Sequence, residues 1–234
     1  MLKTKLLNDN IEIITNFKVA EITQNPELKL NVISKDGLKR TFNYVISTLP
    51  STLSATLCPE LSDYEIERLK SIKYLGVLCV SLLLKKPLTP YYVTNITDDK
   101  IPFTGVIEMT SLVDPAFFGG NSLIYLPKYL SSDDQLFNES DATLKDNFIE
   151  SLKIMQPLLT SEDIIDSQVA RARYVITIPE LEYSMKLPSW KTSLKNMFII
   201  NSSFITDGTL NINETLKISN KYLPGVLKII RSEE

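Results

Sequence analysis

The run Tyr44-Val45-Ile46-Ser47 is apolar on both of its faces. A strand without a polar face belongs inside a sheet covered on both sides, and sheets of that kind are mostly parallel and flanked by helices. This requirement, with helix and strand signals on either side of the run, predicts an α/β chain with a mixed α+β middle.

Upstream of that strand, Ile11-Glu12-Ile13-Ile14 and Lys18-Val19-Ala20-Glu21-Ile22 are rich in β-favouring residues, with the turn-prone Thr15-Asn16 between them. Leu28-Lys29-Leu30-Asn31-Val32-Ile33 alternates apolar and polar, the period of a half-buried strand. Lys35-Asp36-Gly37 then marks a hairpin, because Asp-Gly adopts the left-handed backbone that a tight turn needs. Downstream, Ser62 or Asp63 caps a short helix carrying Ile66 and Leu69. Val77 to Leu84 predicts a strongly apolar strand, and Tyr91–Asn95, Gly105–Met109, Ser122–Leu126, Gln168–Ile176 and Met197–Asn201 predict others. A helix is expected from Asp141 to Gln156 after a Ser140 cap, since Leu144, Phe148, Leu152 and Met155 fall on one face before Pro157 stops it. The last helix is expected to begin near Thr209 and to end by Tyr222, ahead of Pro224-Gly225. The middle thus reads as antiparallel and the two ends as more parallel.

Composition removes several function classes. The chain has 234 residues, a net charge of −3 and evenly spread lysines and arginines, which does not suit a nucleic-acid partner. It contains no histidine and two cysteines, so a Ser-His-Asp or Cys-His nucleophile and a histidine-based zinc site are excluded. Cys58 and Cys79 both lie among apolar residues and read as small buried hydrophobes. The longest apolar stretch, Leu75 to Leu84, is far shorter than the roughly 20 residues of a membrane helix. Met1 to Asn10 is polar, and a cytoplasmic location is expected.

Three separated pieces, in order, resemble the group of flavin-containing amine oxidases, protoporphyrinogen oxidases and UDP-galactopyranose mutases. Ile11 to Val32 is similar to that group's strand, turn, V-x-x-I and strand, in which the valine backbone meets the adenine; the matching residue is Val19. Asn43-Tyr44-Val45-Ile46-Ser47-Thr48-Leu49-Pro50 resembles D-x-V-I-x-T-x-P, with Asn43 where the group has Asp. Asn196 to Thr215 resembles the closing strand, loop and helix, with Asn201-Ser202 where Gly-Asp is expected and Gly208-Thr209-Leu210-Asn211 opening the helix. The resemblance implies FAD as cofactor, flanked by Val19, Thr48, Leu49, Pro50, Asn201, Ser202, Gly208, Thr209 and Leu210. Its N-terminal G-x-G-x-x-G unit has no counterpart, because no two of the seven glycines stand in a Gly-x-Gly pair. That motif lets the backbone approach a pyrophosphate closely. FAD is therefore expected to be weakly held or absent in this chain alone.

The resemblance further implies a division into residues 1–52 and 195–234, forming part of a cofactor domain, and residues 53–194, forming a substrate domain with a mixed sheet. Tyr92, Phe103, Tyr125, Tyr183 and Trp190 either line a substrate pocket or pack in a core. Arg171 and Arg173 share one face of a strand and either hold an anionic group such as a carboxylate or phosphate or form a solvent-facing or salt-bridged pair. Glu108, polar within an apolar run, is either a pocket carboxylate or an outward-facing strand residue. The expected function is the C-terminal part of a FAD-dependent oxidoreductase that positions a small molecule over the flavin. The alternatives are a cofactor-free binding module or partner subunit, and a sugar-nucleotide mutase-like flavoprotein. A separate cofactor-domain chain or a second copy of the chain is the expected macromolecular partner.

Overall fold

A computed structural model of the chain describes residues 2–233. These form two compact units, one combining the chain up to Lys73 with the chain from Pro179 onward, the other spanning Tyr74–Ile178.

The first unit opens with helix α1 (Leu2–Asn8), which buries none of its residues. An antiparallel meander follows, made of β1 (Val19–Gln24), β2 (Leu30–Ser34) and β3 (Lys39–Phe42). Ile11 to Ile14 is not a strand: it has no strand partner, and Ile11, Ile13 and Ile14 stay exposed. Leu28 also lies outside its expected strand, in a turn with φ +60° whose N–H donates to the Asn25 carbonyl. Gly37 supplies φ +80° in the hairpin turn between β2 and β3, as expected. Next come β4 (Val45–Ser47), α2 (Ser51–Leu57) and α3 (Asp63–Ser71). A capping box sets the start of α3: the Glu65 N–H donates to Ser62 Oγ, and the Ser62 N–H donates to the Glu65 carboxylate.

After Pro179 this unit adds α5 (Tyr183–Lys186), β10 (Met197–Ile199) and the long α6 (Ile212–Glu233). β10 pairs in parallel with β4, Met197 opposite Val45 and Ile199 opposite Ser47. The two apolar strands from opposite ends of the chain therefore meet, as their patterns require. β10 is covered on both faces. Met197 and Ile199 join Ile22, Leu30, Cys58 and Leu69 on one side, while Phe198 and Ile200 pack with Val226 of α6 on the other. β4 is not covered in this way. Ile46 is 40% exposed, because α6 lies against β10 and Tyr44 and leaves the outer part of β4 open.

α6 departs from expectation at both ends. It begins at Ile212, where Asn211 Oδ1 accepts from the Glu214 N–H and acts as the cap. It then runs through Pro224 and Gly225. Gly225 lets the Trp190 ring lie against the helix, since a β-carbon there would stand 3.0 Å from two ring atoms.

The second unit holds a five-stranded sheet in the order β6 (Val93–Asn95), β7 (Gly105–Glu108), β8 (Ser122–Ser131), β5 (Tyr74–Leu84) and β9 (Ile164–Thr177). Every pair in it is antiparallel, so among the described residues this sheet is not mixed. Helix α4 (Asp141–Met155) is capped by Ser140, whose side chain accepts from the Thr143 N–H. Its Leu144, Phe148 and Leu152 are buried with Leu78, Val80, Leu82, Ile124 and Leu126 of the sheet. The alternate residues of β5 and β8 point to the other face, which no helix of this unit fills to the same depth. α2, α3 and residues 179–194 pack with the first unit, so the middle unit is shorter than residues 53–194.

Candidate functional site

The parallel strands β4 and β10 end level with each other, and the chain leaves them through Thr48-Leu49-Pro50 and Ile200-Asn201-Ser202. The C-terminal ends of parallel strands are where open α/β sheets place their ligands. Side chains stitch these two exits together. Asn201 Nδ2 donates to the Leu49 carbonyl at 2.7 Å and lies 3.3 Å from Ser51 Oγ. Asn201 Oδ1 accepts from the Ser203 N–H at 2.9 Å. Behind it, the hydroxyls of Ser51 and Ser203 are 2.9 Å apart, and those of Ser47 and Ser54 are 2.8 Å apart. Tyr183, buried in α5, donates its hydroxyl to the Ser203 carbonyl at 2.8 Å. Thr48 and Leu49 remain exposed in front of this network, and Ser202 is half-buried.

Five of the residues expected to face the cofactor, Thr48, Leu49, Pro50, Asn201 and Ser202, thus belong to one pair of adjoining loops. Asn201 is the tie between the loops, both ends of its amide being engaged by the chain itself. Val19 begins β1 and packs with the core on the Met197 side of β10. Gly208, Thr209 and Leu210 are exposed and precede α6 instead of opening it. Gly208 has φ +141°, and a β-carbon there would meet the Glu214 side chain at 3.3 Å. Ser51, Ser54 and Ser203 are members of the network that the sequence pattern does not reveal, since their roles depend on contacts across the fold.

The residues expected to line a substrate pocket fall in several places. Phe103 is core, its ring 5.6 Å from that of Phe148. Trp190 stacks near Phe198 and Tyr222 in the first unit. Arg173 is held in place, donating to the Ser132 carbonyl and to Asn138 Oδ1, with its guanidinium 4.7 Å from the Phe137 ring centre. Its neighbour Arg171 pairs with Asp141. Arg171 is thus salt-bridged, as one account had it, whereas Arg173 is held by neutral oxygens and a ring face. Tyr125 sits on the face of the five-stranded sheet opposite α4, over a shallow concavity of about 310 Å³ with Ser81, Leu83 and Gln168. Tyr92 is exposed, and its carbonyl accepts from the Glu108 N–H at 2.8 Å. Glu108 does not face solvent: it is 0% exposed. The Cys58 thiol is pushed up to about 12 by burial, which removes it as a nucleophile.

The family model for flavin containing amine oxidoreductases matches residues 8–198. The chain belongs to that family. Solved structures agree with the fold of this amine-oxidoreductase member. A protein described as a protoporphyrinogen oxidase from Exiguobacterium sp. 255-15 superposes with a TM-score of 0.72 at 12% identity, over 97% of this chain and 51% of its own. An oxidoreductase from Methanosarcina mazei gives 0.67 at 18% identity, over 98% and 52%. A reduced UDP-galactopyranose mutase gives 0.61 at 15% identity, over 79% and 40%. The amine-oxidoreductase chain thus spans about half the length of the first two structures and less of the third. No protein of curated function matches it significantly. Flavin is the cofactor of the family. A glycine-rich pyrophosphate cradle is not among the residues of this chain.

Proposed function

We propose that the chain is the substrate-side half of a FAD-dependent oxidoreductase and works with a further segment that supplies the pyrophosphate-binding β-α-β unit. The observation that carries this reading is the open edge of β4. The Val45 N–H donates to the Asn196 carbonyl, and the Ser47 carbonyl accepts from the Ile200 N–H. Ile46 therefore turns its N–H and C=O to the opposite edge, where no strand of the described residues pairs with β4. Parallel strands are ordinarily interior ones, so this edge has the form of a place for one more strand. In this reading Thr48, Leu49, Pro50 and Ser202 flank the flavin, with Asn201 as the tie behind them. Val19 and Gly208-Thr209-Leu210 extend the same flank. The isoalloxazine performs the redox chemistry, and Tyr125, on the more open sheet face of the second unit, is the first substrate-side residue to test.

The cofactor-free partner module has one observation in its favour. Asn201-Ser202 stands where the family has Gly-Asp, and both ends of the Asn201 side-chain amide are taken by the chain itself.

The test compares FAD retention by the 234-residue chain alone and by the chain together with a family G-x-G-x-x-G segment, in cis or in trans. The expected result is flavin absorbance that survives dialysis only in the completed protein, at one FAD per chain. Stoichiometric FAD held by the chain alone overturns the division of labour. A folded, completed protein without flavin decides for the partner module.

A further inference from the structure

The chain holds two Asp-Gly pairs, Asp36-Gly37 and Asp207-Gly208. In such a pair the main-chain nitrogen of the glycine can attack the carboxyl carbon of the aspartate, because glycine has no β-carbon to crowd the approach. Whether it reaches that carbon depends on what holds the backbone, and here the two pairs differ.

Asp36-Gly37 is tied down on all sides. The Gly37 N–H donates to the Ser34 carbonyl at 3.0 Å, the Ser34 N–H donates to the Leu38 carbonyl at 2.8 Å, and the Leu38 N–H donates to Ser34 Oγ at 3.1 Å. The paired strands β2 and β3 close the turn behind it. Asp207-Gly208 lies in the stretch between β10 and α6. Ile205 is buried, with its N–H donated to the Ser202 carbonyl, and α6 begins at Ile212. Between these anchors Thr206, Asp207, Gly208, Thr209 and Leu210 are all exposed and belong to no helix or strand. Among the described residues, none of their N–H groups has a partner. A segment without main-chain hydrogen bonds opens at little cost and samples many conformations. No ion pair fixes the Asp207 carboxylate among the described residues either. Its one contact is the Thr206 hydroxyl, which donates to Oδ2 at 3.2 Å.

We propose that Asp207 is a self-modification site, which converts to isoaspartate through a succinimide formed with Gly208. The Gly208 nitrogen bonds to Asp207 Cγ. The carboxylate takes up one proton from solvent, and one of its oxygens leaves as water with that proton and the amide proton. Water then opens the five-membered ring. Cleavage of the new bond to Cγ restores aspartate. Cleavage of the old main-chain bond leaves the chain running through Cγ, with the carboxylate on the former main-chain carbon. The water lost in the first step returns in the second, and no oxidant or cofactor takes part. The product lengthens the connection between β10 and α6 by one carbon. This chemistry does not depend on the flavin reading.

The test ages the full chain at neutral pH and physiological temperature, in its native state and in urea. Isoaspartate is measured at each position by electron-transfer fragmentation of the corresponding peptides, which tells the two isomers apart by the main-chain bond that breaks. In the native chain Asp207 is expected to convert severalfold faster than Asp36. In urea, where the hairpin is lost, the two rates are expected to converge. Asp207→Glu is expected to remove the signal at position 207, because the six-membered ring closes far more slowly, and to leave conversion of Asp36 unchanged. Equal native rates, or a faster rate at Asp36, overturn the proposal. So does a native rate at Asp207 far below its rate in urea, which would show that the folded chain holds this pair as firmly as the other.

Discussion

Glu65 shows how much one side chain does in the first unit. Its carboxylate receives the N–H groups of Ser62 and Ser193 and the Ser62 hydroxyl. Burial works against its charge, but the hydrogen bonds from Ser193 and Ser62 outweigh that effect and lower its pKa. A carboxyl with a depressed folded pKa adds stability that is present above its unfolded value, roughly pH 4.3, and is lost as pH falls through the folded value. The stability gap between the native chain and Glu65→Gln is therefore expected to be largest near neutral pH and to shrink toward pH 3, as urea unfolding at the two pH values will measure. An unchanged gap would mean that the carboxylate charge contributes nothing. Half of this arrangement is legible in the sequence, because Ser62-x-x-Glu65 is a helix-start pattern. The bond to Ser193 is not, since it joins residues 128 positions apart. Asn201 and Arg173 follow the same rule. Their positions in the chain suggest ligands, and only the fold brings up the carbonyls that occupy them.

Elements were legible wherever local signals agree with packing. α3 and α4 have serine caps and apolar stripes and formed close to where their patterns placed them, while β5 starts at Tyr74, ahead of the expected Val77, and β8 runs past the expected Leu126 through Pro127-Lys128 to Ser131. α6 was not legible, because Pro224-Gly225 reads as a stop. Burial of Val226 and the packing of Ile218 and Tyr222 beside Phe198 outweigh the helix-breaking cost of a few kcal/mol. Ile11 to Ile14 failed in the opposite sense, a β-favouring run with no neighbour to pair with. The junction of β5 and β9 provides a direct test of packing at this scale. The register shifts between Leu75 and Val77, and a β-carbon on Gly76 would stand 2.5 Å from Phe137 Cζ and 2.7 Å from the Ala172 carbonyl oxygen. Gly76→Ala is expected to destabilise the chain by about 1–3 kcal/mol, read as a lowered thermal midpoint. A midpoint equal to that of the native chain would show that β9 yields at no cost.

At the scale of the whole molecule, the chain interrupts its first unit to build a second and then returns to finish the first. The meeting of β4 and β10 was legible, because two apolar strands far apart in sequence each needed cover. The limits of the insertion were not. α3 and residues 179–194 carry no composition change that marks them as belonging to the outer unit. The insertion has its own sheet, helix and core, so residues 74–178 expressed alone are expected to fold and to unfold in one cooperative transition. A featureless melt would show that this core depends on the rest of the chain. The open edge of β4 also affects how the protein behaves in solution. Unpaired strand edges recruit other chains, and this one lies beside the exposed apolar side chains of Ile46, Leu49 and Leu53. No lysine, proline or bulge blocks it within Val45–Ser47. A segment that pairs with β4, as proposed above, would also shield this edge, so the completed protein is expected to clump less than the chain alone.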